Sequence, residues 1–346
     1  MEERQAYETC RVCHRDDDPN LDRLNPYEFD SVQACVTCRR MFELGGQLLK
    51  VKAIVRSRRE NIPGAAVRLR VTIPSAPVIY HLFKQWNYEK AGKIEESETV
   101  FLVNDWKVDN YRYKNTMLML MGNYAQESET EPSTIVRAEE MAEKAEGIAR
   151  LGYLRMDADR LGKIFTRVVG EDRTLPRRAG LSRQMSYFFK VYLNSLAENR
   201  DRNIPENFKR LTASDRRNLL FIYAGGDDLF VTGAWNEVVE FAFDVYQCFR
   251  AYAGDNPDIT ISGGIEIARP KYPLYQGAKE SRDALDAAKN NDRDSLGLFG
   301  EVFKWREWLG QEKEDSNEEK TVKAEKEKSK LIDGETLDYL EGEKLP

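Results

Sequence analysis

The hydrophobic pattern divides the chain into stretches of different period. Over 67–73 apolar and polar residues alternate (Val-Arg-Leu-Arg-Val-Thr-Ile), as in a half-buried strand that Pro74 and Pro77 close. The apolar run 100–103 predicts a buried strand. A polar, acidic segment over 126–133 then separates this strand-rich stretch from a block with clearer punctuation. There the pattern predicts a helix over 134–148, a strand over 151–156, a helix over 159–169 opening on an acidic cap, and a long amphipathic helix over 181–200. Apolar strands at 219–224 and 229–232 flank Gly225-Gly226-Asp227-Asp228, which predicts a tight hairpin whose glycines allow positive φ. A helix over 235–253, a strand over 259–267, a helix from about 275 to 290 and a strand over 296–299 follow. The order β-α-α-β-β-α-β-α-β predicts an α+β fold, a ferredoxin-like palm with helices on one face of a mainly antiparallel sheet. The expected units are a zinc-binding module (1–50), a strand-rich linker domain (51–132), the palm (133–300), and a C-terminal helix with a Lys/Glu-rich tail (301–346).

Composition narrows the function classes. No stretch approaches 18 uninterrupted apolar residues, so no membrane span is expected. The opening Met1-Glu2-Glu3-Arg4 lacks the basic-then-apolar order of a signal peptide, and a cytoplasmic location is expected. Against 59 acidic residues stand 53 basic ones, a net charge of −6. The acidity is local, because 311–346 holds 12 acidic and 7 basic residues and the body is near neutral. Basic clusters at 50–59, 173–183 and 209–217 are candidate contacts for a ribonucleoprotein. His14 and His81 are the only histidines, which excludes a His-Asp metal phosphohydrolase site in this sequence.

Cys10-x-x-Cys13 and Cys35-x-x-Cys38 stand in a segment too poor in apolar residues to hold itself together. Each pair sets two thiolates on one turn, and two such turns complete a tetrahedron around zinc. With four cysteines no position is left for water, so the zinc is expected to be structural, and His14 is superfluous.

A second constellation is acidic. Asp157 ends a buried strand, and Asp227 and Asp228 occupy the hairpin tip. In a palm the first strand lies beside that hairpin, so the three carboxylates converge and call for divalent cations, Mg²⁺ or Mn²⁺, that serve phosphoryl transfer. The bridge Ala158-Asp159-Arg160-Leu161-Gly162 leads into a helix, where backbone N–H groups suit a triphosphate and Asp159 suits a cap. Lys289, at the end of the helix before the last strand, is placed to reach a terminal phosphate. Ser262-Gly263-Gly264 interrupts a strand where a base can approach closely.

Five segments, AEKAEG at 142–147, GYLRMDADRLG at 152–162, YAGGDDL at 223–229, ISGGI at 261–265 and GAKESRDALDAAKNNDRDSLGLFG at 277–300, resemble the catalytic palm of the large subunit of type III CRISPR effector complexes. The four-cysteine module, with Leu44-Gly45-Gly46 after it, resembles the zinc element that precedes that palm. The resemblance implies a nucleotidyltransferase of antiviral defence that converts ATP into 3′–5′ cyclic oligoadenylates once the complex has bound target RNA. On it, Asp157, Asp227 and Asp228 hold the metals. The backbone of Asp159, Arg160, Leu161 and Gly162, with Lys289, holds phosphates; Ala158, Gly225 and Gly226 border the nucleotide; and Ser262 and Gly263 lie near adenine. It also implies Cas five-like, Cas seven-like and small-subunit partners, with guide and target RNA. Family members normally begin with a nuclease domain and a first palm, so the expectation is either a fragment or split subunit whose first palm a separate chain supplies, or a reduced version of the subunit.

Two other readings share some of these residues. A stand-alone GGDEF-type cyclase would use GTP; such domains usually carry Glu-Phe after the first hairpin Asp, where this chain has Asp228-Leu229. A non-catalytic scaffold of the guide-RNA complex would bind its partners and turn over no ATP.

Overall fold

The computed structural model describes residues 7–27, 29–71, 77–91, 94–129, 135–167, 174–204, 208 and 217–310. The acidic tail expected over 311–346 lies outside them, as do Pro74, Lys209, Arg210 and Arg216.

The first elements form a small cysteine-bearing unit. Strands β1 (Asp22–Arg23) and β2 (Gln33–Ala34) pair antiparallel, and a helix, Val36–Leu48, starts directly after Cys35. The pattern gave no hint of this helix, because Gly45-Gly46 in its interior reads as a break. Its Leu44 and Leu48 pack on Val51, just before the next sheet, and on Leu82 and Val103 within it, which offsets the weak propensity.

That sheet contains β3 (Ala53–Ser57), β4 (Val67–Val71), β5 (Val78–Phe83), β6 (Thr99–Val103) and β7 (Thr116–Met119), in the order β4-β5-β3-β6-β7. All pairs are antiparallel except β6 with β7. One face buries Ala53, Val55, Phe83, Val100 and Leu102. At the rim, buried Glu98 accepts from Ser57 and takes both Nε and a terminal nitrogen of Arg59, at 2.6 and 2.7 Å. Arg59 therefore leaves the basic cluster expected at 50–59 and serves inside the fold. Segment 121–126 then stitches this sheet to the palm. Asn194 accepts from the amides of Asn123 and Tyr124, and Phe221 donates to the Tyr124 carbonyl.

The palm sheet is built from β8 (Leu151–Ala158), β9 (Leu219–Ala224), β10 (Asp228–Ala234), β11 (Ile261–Ala268), β12 (Ser295–Leu298) and β13 (Glu301–Lys304), in the order β13-β12-β11-β8-β10-β9. The four strands β11-β8-β10-β9 have the ferredoxin-like arrangement that the sequence predicts, and β8 lies antiparallel between β10 and β11. On one face lies the helix Trp235–Tyr252, with Val238 against Gly152. Beside it, Phe188, Phe189, Leu193 and Leu196 fill the main core with Leu154 and Met156.

The expectation of helices on one face needs a correction. The helix Leu274–Asn290 packs on the opposite face, because its Gly277 meets Tyr153 and its Ala278 carbonyl accepts from Arg155, and strand side chains alternate. The long helix expected over 181–200 is also divided, into Leu175–Tyr187, a π turn Phe188–Tyr192, and Leu193–Glu198. The wide turn lets Phe188 and Phe189, which are adjacent in sequence, both reach the core. The helix expected over 134–148 shrinks to Ala138–Glu143. Arg217, from the third basic cluster, is fully buried and ion-paired to Asp244 and Glu240, so it offers no surface charge.

Candidate functional site

The four cysteines come together. Cys10, Cys13, Cys35 and Cys38 have sulfur atoms all within 4.8 Å of one another, and the Sγ atoms of Cys13 and Cys35 are 3.7 Å apart. A zinc tetrahedron with bonds of about 2.3 Å has edges close to 3.8 Å, so the set fits that ion. The amides of Val12 and Cys35 donate to the Cys10 sulfur at 3.4 and 3.2 Å. Burial works against a Cys10 thiolate, but these N–H groups and that of Cys13 outweigh it and bring its pKa down to about 6. Burial, together with the Cys13 and Cys35 sulfurs, pushes the Cys38 thiol up to about 12. Four thiolates thus need a cation to coexist, consistent with a zinc module. Exposed His14 stays outside the cluster.

The acidic site forms where β8 ends against the β9–β10 hairpin. Asp157 pairs in register with Asp228 on one side and with Ser262 on the other. The Ala158 amide donates to the Asp227 carbonyl at 2.9 Å, which ties the hairpin tip to the end of β8. The three aspartates therefore share one sheet edge, but their oxygens do not form the close mutual cluster that the cysteines do. Instead Lys289 donates to Asp157 Oδ1 at 2.6 Å, both side chains being about one-quarter to one-third exposed. Burial, then the Asp157 and Asp228 charges, raise the Asp227 carboxyl above its usual range, while Lys289 pulls it down. Hard oxygen donors with surplus negative charge suit Mg²⁺ or Mn²⁺.

Several expectations take a different form. Neither Gly225 nor Gly226 has positive φ. A Cβ at Gly225 would overlap the Tyr223 hydroxyl and Asp228 Oδ1, so a side chain there would have to displace both tips, whereas Gly226 faces open space. Asp159 does not cap the helix Leu161–Arg167. Its buried carboxylate accepts from Thr260, Ser262 and the Asp294 amide, and it lies 3.9 Å from Arg293. Ser262 is fully buried and spends its hydroxyl on Asp159, so it locks β11 to the end of β8 instead of facing a base. Gly263 points at Trp305 and Met156 in the core, and Gly264 lies under the backbone of Ser281 and Leu285. The glycine pair serves close approach of a helix, with Gly264 beside Gly297 in the next strand. Arg160 has φ 54° and pairs with Asp292; Leu161 and Gly162 begin the following helix.

Two residues on this face were not singled out from the sequence. The Tyr223 phenol stands beside Asp228, and burial together with that carboxylate raises its pKa. Arg155, two residues before Asp157 on β8, lies over the Phe230 ring at 4.5 Å. The period-two parity of β8 was the signal that would have found Arg155.

Residues 150–297 match the family described as Cas10/Cmr2, second palm domain. Over those residues the chain is similar to a Cas10/Cmr2 second palm. All three aspartates and Lys289 fall within the matched residues. The Cas10/Csm1 single-strand-specific deoxyribonuclease (subtype III-A) of Streptococcus thermophilus is 28% identical over 86% of this chain and 34% of its own length. Its counterpart from Methanocaldococcus jannaschii is 36% identical over 52% of this chain and 24% of its own. The likeness to the first extends beyond the Cas10 palm, and the chain spans about a third of that relative's length. Among solved structures, a Csm1–Csm4 cassette in complex with cA3 shares the fold, with a TM-score of 0.64 and 23% identity, covering 79% of this chain and 37% of that one. Among the described residues no helix is long and apolar enough to cross a membrane.

Proposed function

We propose that this palm converts ATP into cyclic oligoadenylates as part of a type III CRISPR effector complex, gated by target RNA. The observation that carries the reading is the register of Asp157 with Asp228 at the hairpin edge, with Lys289 on Asp157. In each addition a ribose 3′-oxygen forms a bond to the α-phosphorus of ATP, the bond from that phosphorus to the β-bridging oxygen breaks, and pyrophosphate leaves. The hydroxyl proton passes to solvent or to a carboxylate at the edge. Ring closure repeats the step within one oligomer. Divalent cations held by Asp157, Asp227 and Asp228 would supply charge neutralisation and a more acidic hydroxyl.

The chain's own residues would do the positioning. Asp159, Ser262 and Thr260 fix the strand end from which Asp157 projects. Lys289 is close enough to exchange Asp157 for a phosphate oxygen. The backbone around Arg160 to Gly162 borders the same edge and is the proposed phosphate cradle. Csm1–Csm4 cassettes solved with ATP, pppApA, pppApApA and cA4 form a series that supports stepwise adenylate addition at such a palm. By the same likeness a Csm4-type subunit, Cas seven-like and small subunits, guide RNA and target RNA are proposed partners, along with a first palm to complete the site. The four cysteines are proposed to bind one structural zinc, and units 1–50, 51–132, 133–300 and 301–346 are the proposed domains.

The test is conversion of ATP with Mg²⁺ or Mn²⁺, products being resolved by mass, for the chain alone and for its ribonucleoprotein with and without matching RNA. Cyclic oligoadenylates that depend on RNA, and that vanish in Asp227→Ala with Asp228→Ala while assembly persists, support the reading. Absence of product in every condition rejects it in favour of a scaffold.

A further inference from the structure

The helix Leu274–Asn290, which carries Lys289, runs into β12 through a turn with costly backbone geometry. Asp292, Arg293 and Asp294 have φ of 54°, 62° and 48°, three consecutive non-glycine residues in the left-handed region. Elsewhere among the described residues such non-glycine residues stand singly. Left-handed backbone brings Cβ against the following carbonyl, so residues other than glycine enter it one at a time. A run of three persists only where its surroundings hold it there, and such strain collects at functional sites.

The holding contacts come from two directions. On the side of the acidic edge, the Asp159 carboxylate accepts from the Asp294 amide at 3.2 Å, and Arg160 donates to Asp292 at 2.9 Å. On the other side stands Lys304, the last residue of β13 and the register partner of Ser295. β13 is the edge strand of the palm sheet. The Lys304 ammonium donates to the Asn291 carbonyl at 2.8 Å and to the Arg293 carbonyl at 2.6 Å. Those two carbonyls flank Asp292, so one cation closes the turn across its left-handed part. Among the described residues no carboxylate makes an ion pair with Lys304, and its charge is spent on the backbone. A cation also suits this place because the last carbonyls of a helix carry partial negative charge. Asn291 in turn donates its amide to the carbonyls of Ala287 and Ala288 and closes the final helical turn, on which Lys289 stands.

We propose that Lys304 is a positioning residue of the palm: by clamping the left-handed turn it fixes the end of the helix Leu274–Asn290 and thereby holds Lys289 on Asp157. Lys304 touches neither nucleotide nor metal, and it acts through Lys289. The importance of that linkage for catalysis rests on the reading of this edge as a nucleotidyltransferase site; the linkage itself needs no ligand. Without the ammonium, Asn291 and Arg293 lose their shared donor, the turn relaxes toward ordinary backbone, and Lys289 is released from Asp157.

The test is competitive acylation of lysine amines in the metal-free full chain, at trace reagent so that most molecules carry at most one label, read peptide by peptide by mass spectrometry. Lys114, with its side chain 83% exposed, is the reference. In wild type Lys289, paired with Asp157 and only 26% exposed, should react several-fold more slowly than Lys114. Lys304→Met should raise the Lys289 rate about threefold relative to Lys114, the factor for losing a partly exposed ion pair. Lys304→Arg, which can still bridge two carbonyls, should restore the slow rate. Asp157→Asn should free Lys289 by itself, and adding Lys304→Met to it should then change little, because the two act on one pair.

An unchanged Lys289 rate in Lys304→Met, with or without a lowered melting temperature, would make Lys304 a staple of β13 and overturn the proposal. So would a rate increase shared by all lysines, an equal factor in the Asp157→Asn background, or a wild-type Lys289 as reactive as Lys114. If Lys304→Met does not fold, Lys304→Gln, which reaches only one carbonyl, decides by the same ratio. No nucleotide, metal or turnover enters the measurement. The linkage can therefore hold where the chain makes no oligoadenylate, and fail where it does.

Discussion

Lys289 places its ammonium 2.6 Å from Asp157 Oδ1, so the last turn of the helix Leu274–Asn290 holds the central carboxylate of the palm edge. The pair joins two functions that the sequence suggested separately, a metal ligand and a phosphate-binding lysine. In this arrangement Lys289 is the internal counter-ion of an edge with three acidic residues, and it also draws down the Asp227 carboxyl.

A cation and an ammonium cannot both occupy that oxygen closely. Lys289→Met should therefore tighten the binding of Mn²⁺ alone, by about tenfold, because a competing positive charge is removed. The same variant should weaken ATP binding, because a phosphate partner is lost. Manganese titration by calorimetry or electron paramagnetic resonance, without and then with nucleotide, reads both signs. Weaker binding of Mn²⁺ alone would mean that Lys289 orients Asp157 and does not compete for it.

The glycines of β11 give a prediction about stability. A methyl at Gly264 would stand 2.1 Å from the Leu285 amide and 2.4 Å from the Ser281 carbonyl, both backbone atoms that cannot rotate away. Gly264→Ala should force the helix Leu274–Asn290 off the sheet, costing about 2 kcal/mol or more, and should move Lys289 with it. Gly226→Ala meets nothing within 4 Å and should leave the melting temperature where it is. Thermal melts of the two variants side by side test this, and equal melting points would contradict it.

This contrast shows which parts of the molecule the sequence reveals. The strands β8 to β11 were legible because each is an apolar run bounded by a turn or a helix start, and the Asp157–Asp228 juxtaposition follows from ferredoxin-like order once those strands are placed. Ser262-Gly263-Gly264 was read as a ligand approach because glycine in a strand signals only that something comes close. The pattern cannot say whether that is a base or the backbone at Ser281 and Leu285. Asp159 looked like a cap for the same reason: its partners Ser262 and Asp294 lie more than a hundred residues away. The π turn at Phe188–Tyr192 leaves no period of its own, and Gly45-Gly46 hid a helix held by tertiary contacts.

The cysteine cluster predicts a metal-dependent fold at the N-terminus. Cys10→Ser with Cys13→Ser removes one turn of the tetrahedron and leaves Cys35 and Cys38 without the partners they need. Zinc content should fall from about one ion per chain to none, and the unit containing β1 and β2 should lose its melting transition, while the palm keeps its own. Elemental analysis with a thermal melt checks both. Unchanged metal content would place the zinc elsewhere.

Asp227 links the acidic edge to pH. Its carboxyl is raised above the usual range, by burial first and then by Asp157 and Asp228. A carboxyl whose folded pKa lies above its unfolded value stabilises the fold at pH below that unfolded value, near 4, and the contribution is lost as pH rises through the folded pKa. The metal-free protein is thus strained at this residue at neutral pH, and a cation relieves the strain. Asp227→Asn, which mimics the protonated form, should raise the melting temperature of chelator-treated protein at pH 7, and the advantage should fade as the pH is lowered toward about 4. In wild type the affinity for Mn²⁺ should decline with acidification, starting at a pH above that expected for a solvated carboxylate, because the proton and the metal compete for the same oxygens. Melting curves of the two proteins across that range, in chelator, decide the point: identical curves at pH 7 would mean that the three carboxylates sit at the edge without mutual strain, and that the edge does not depend on a cation for its stability.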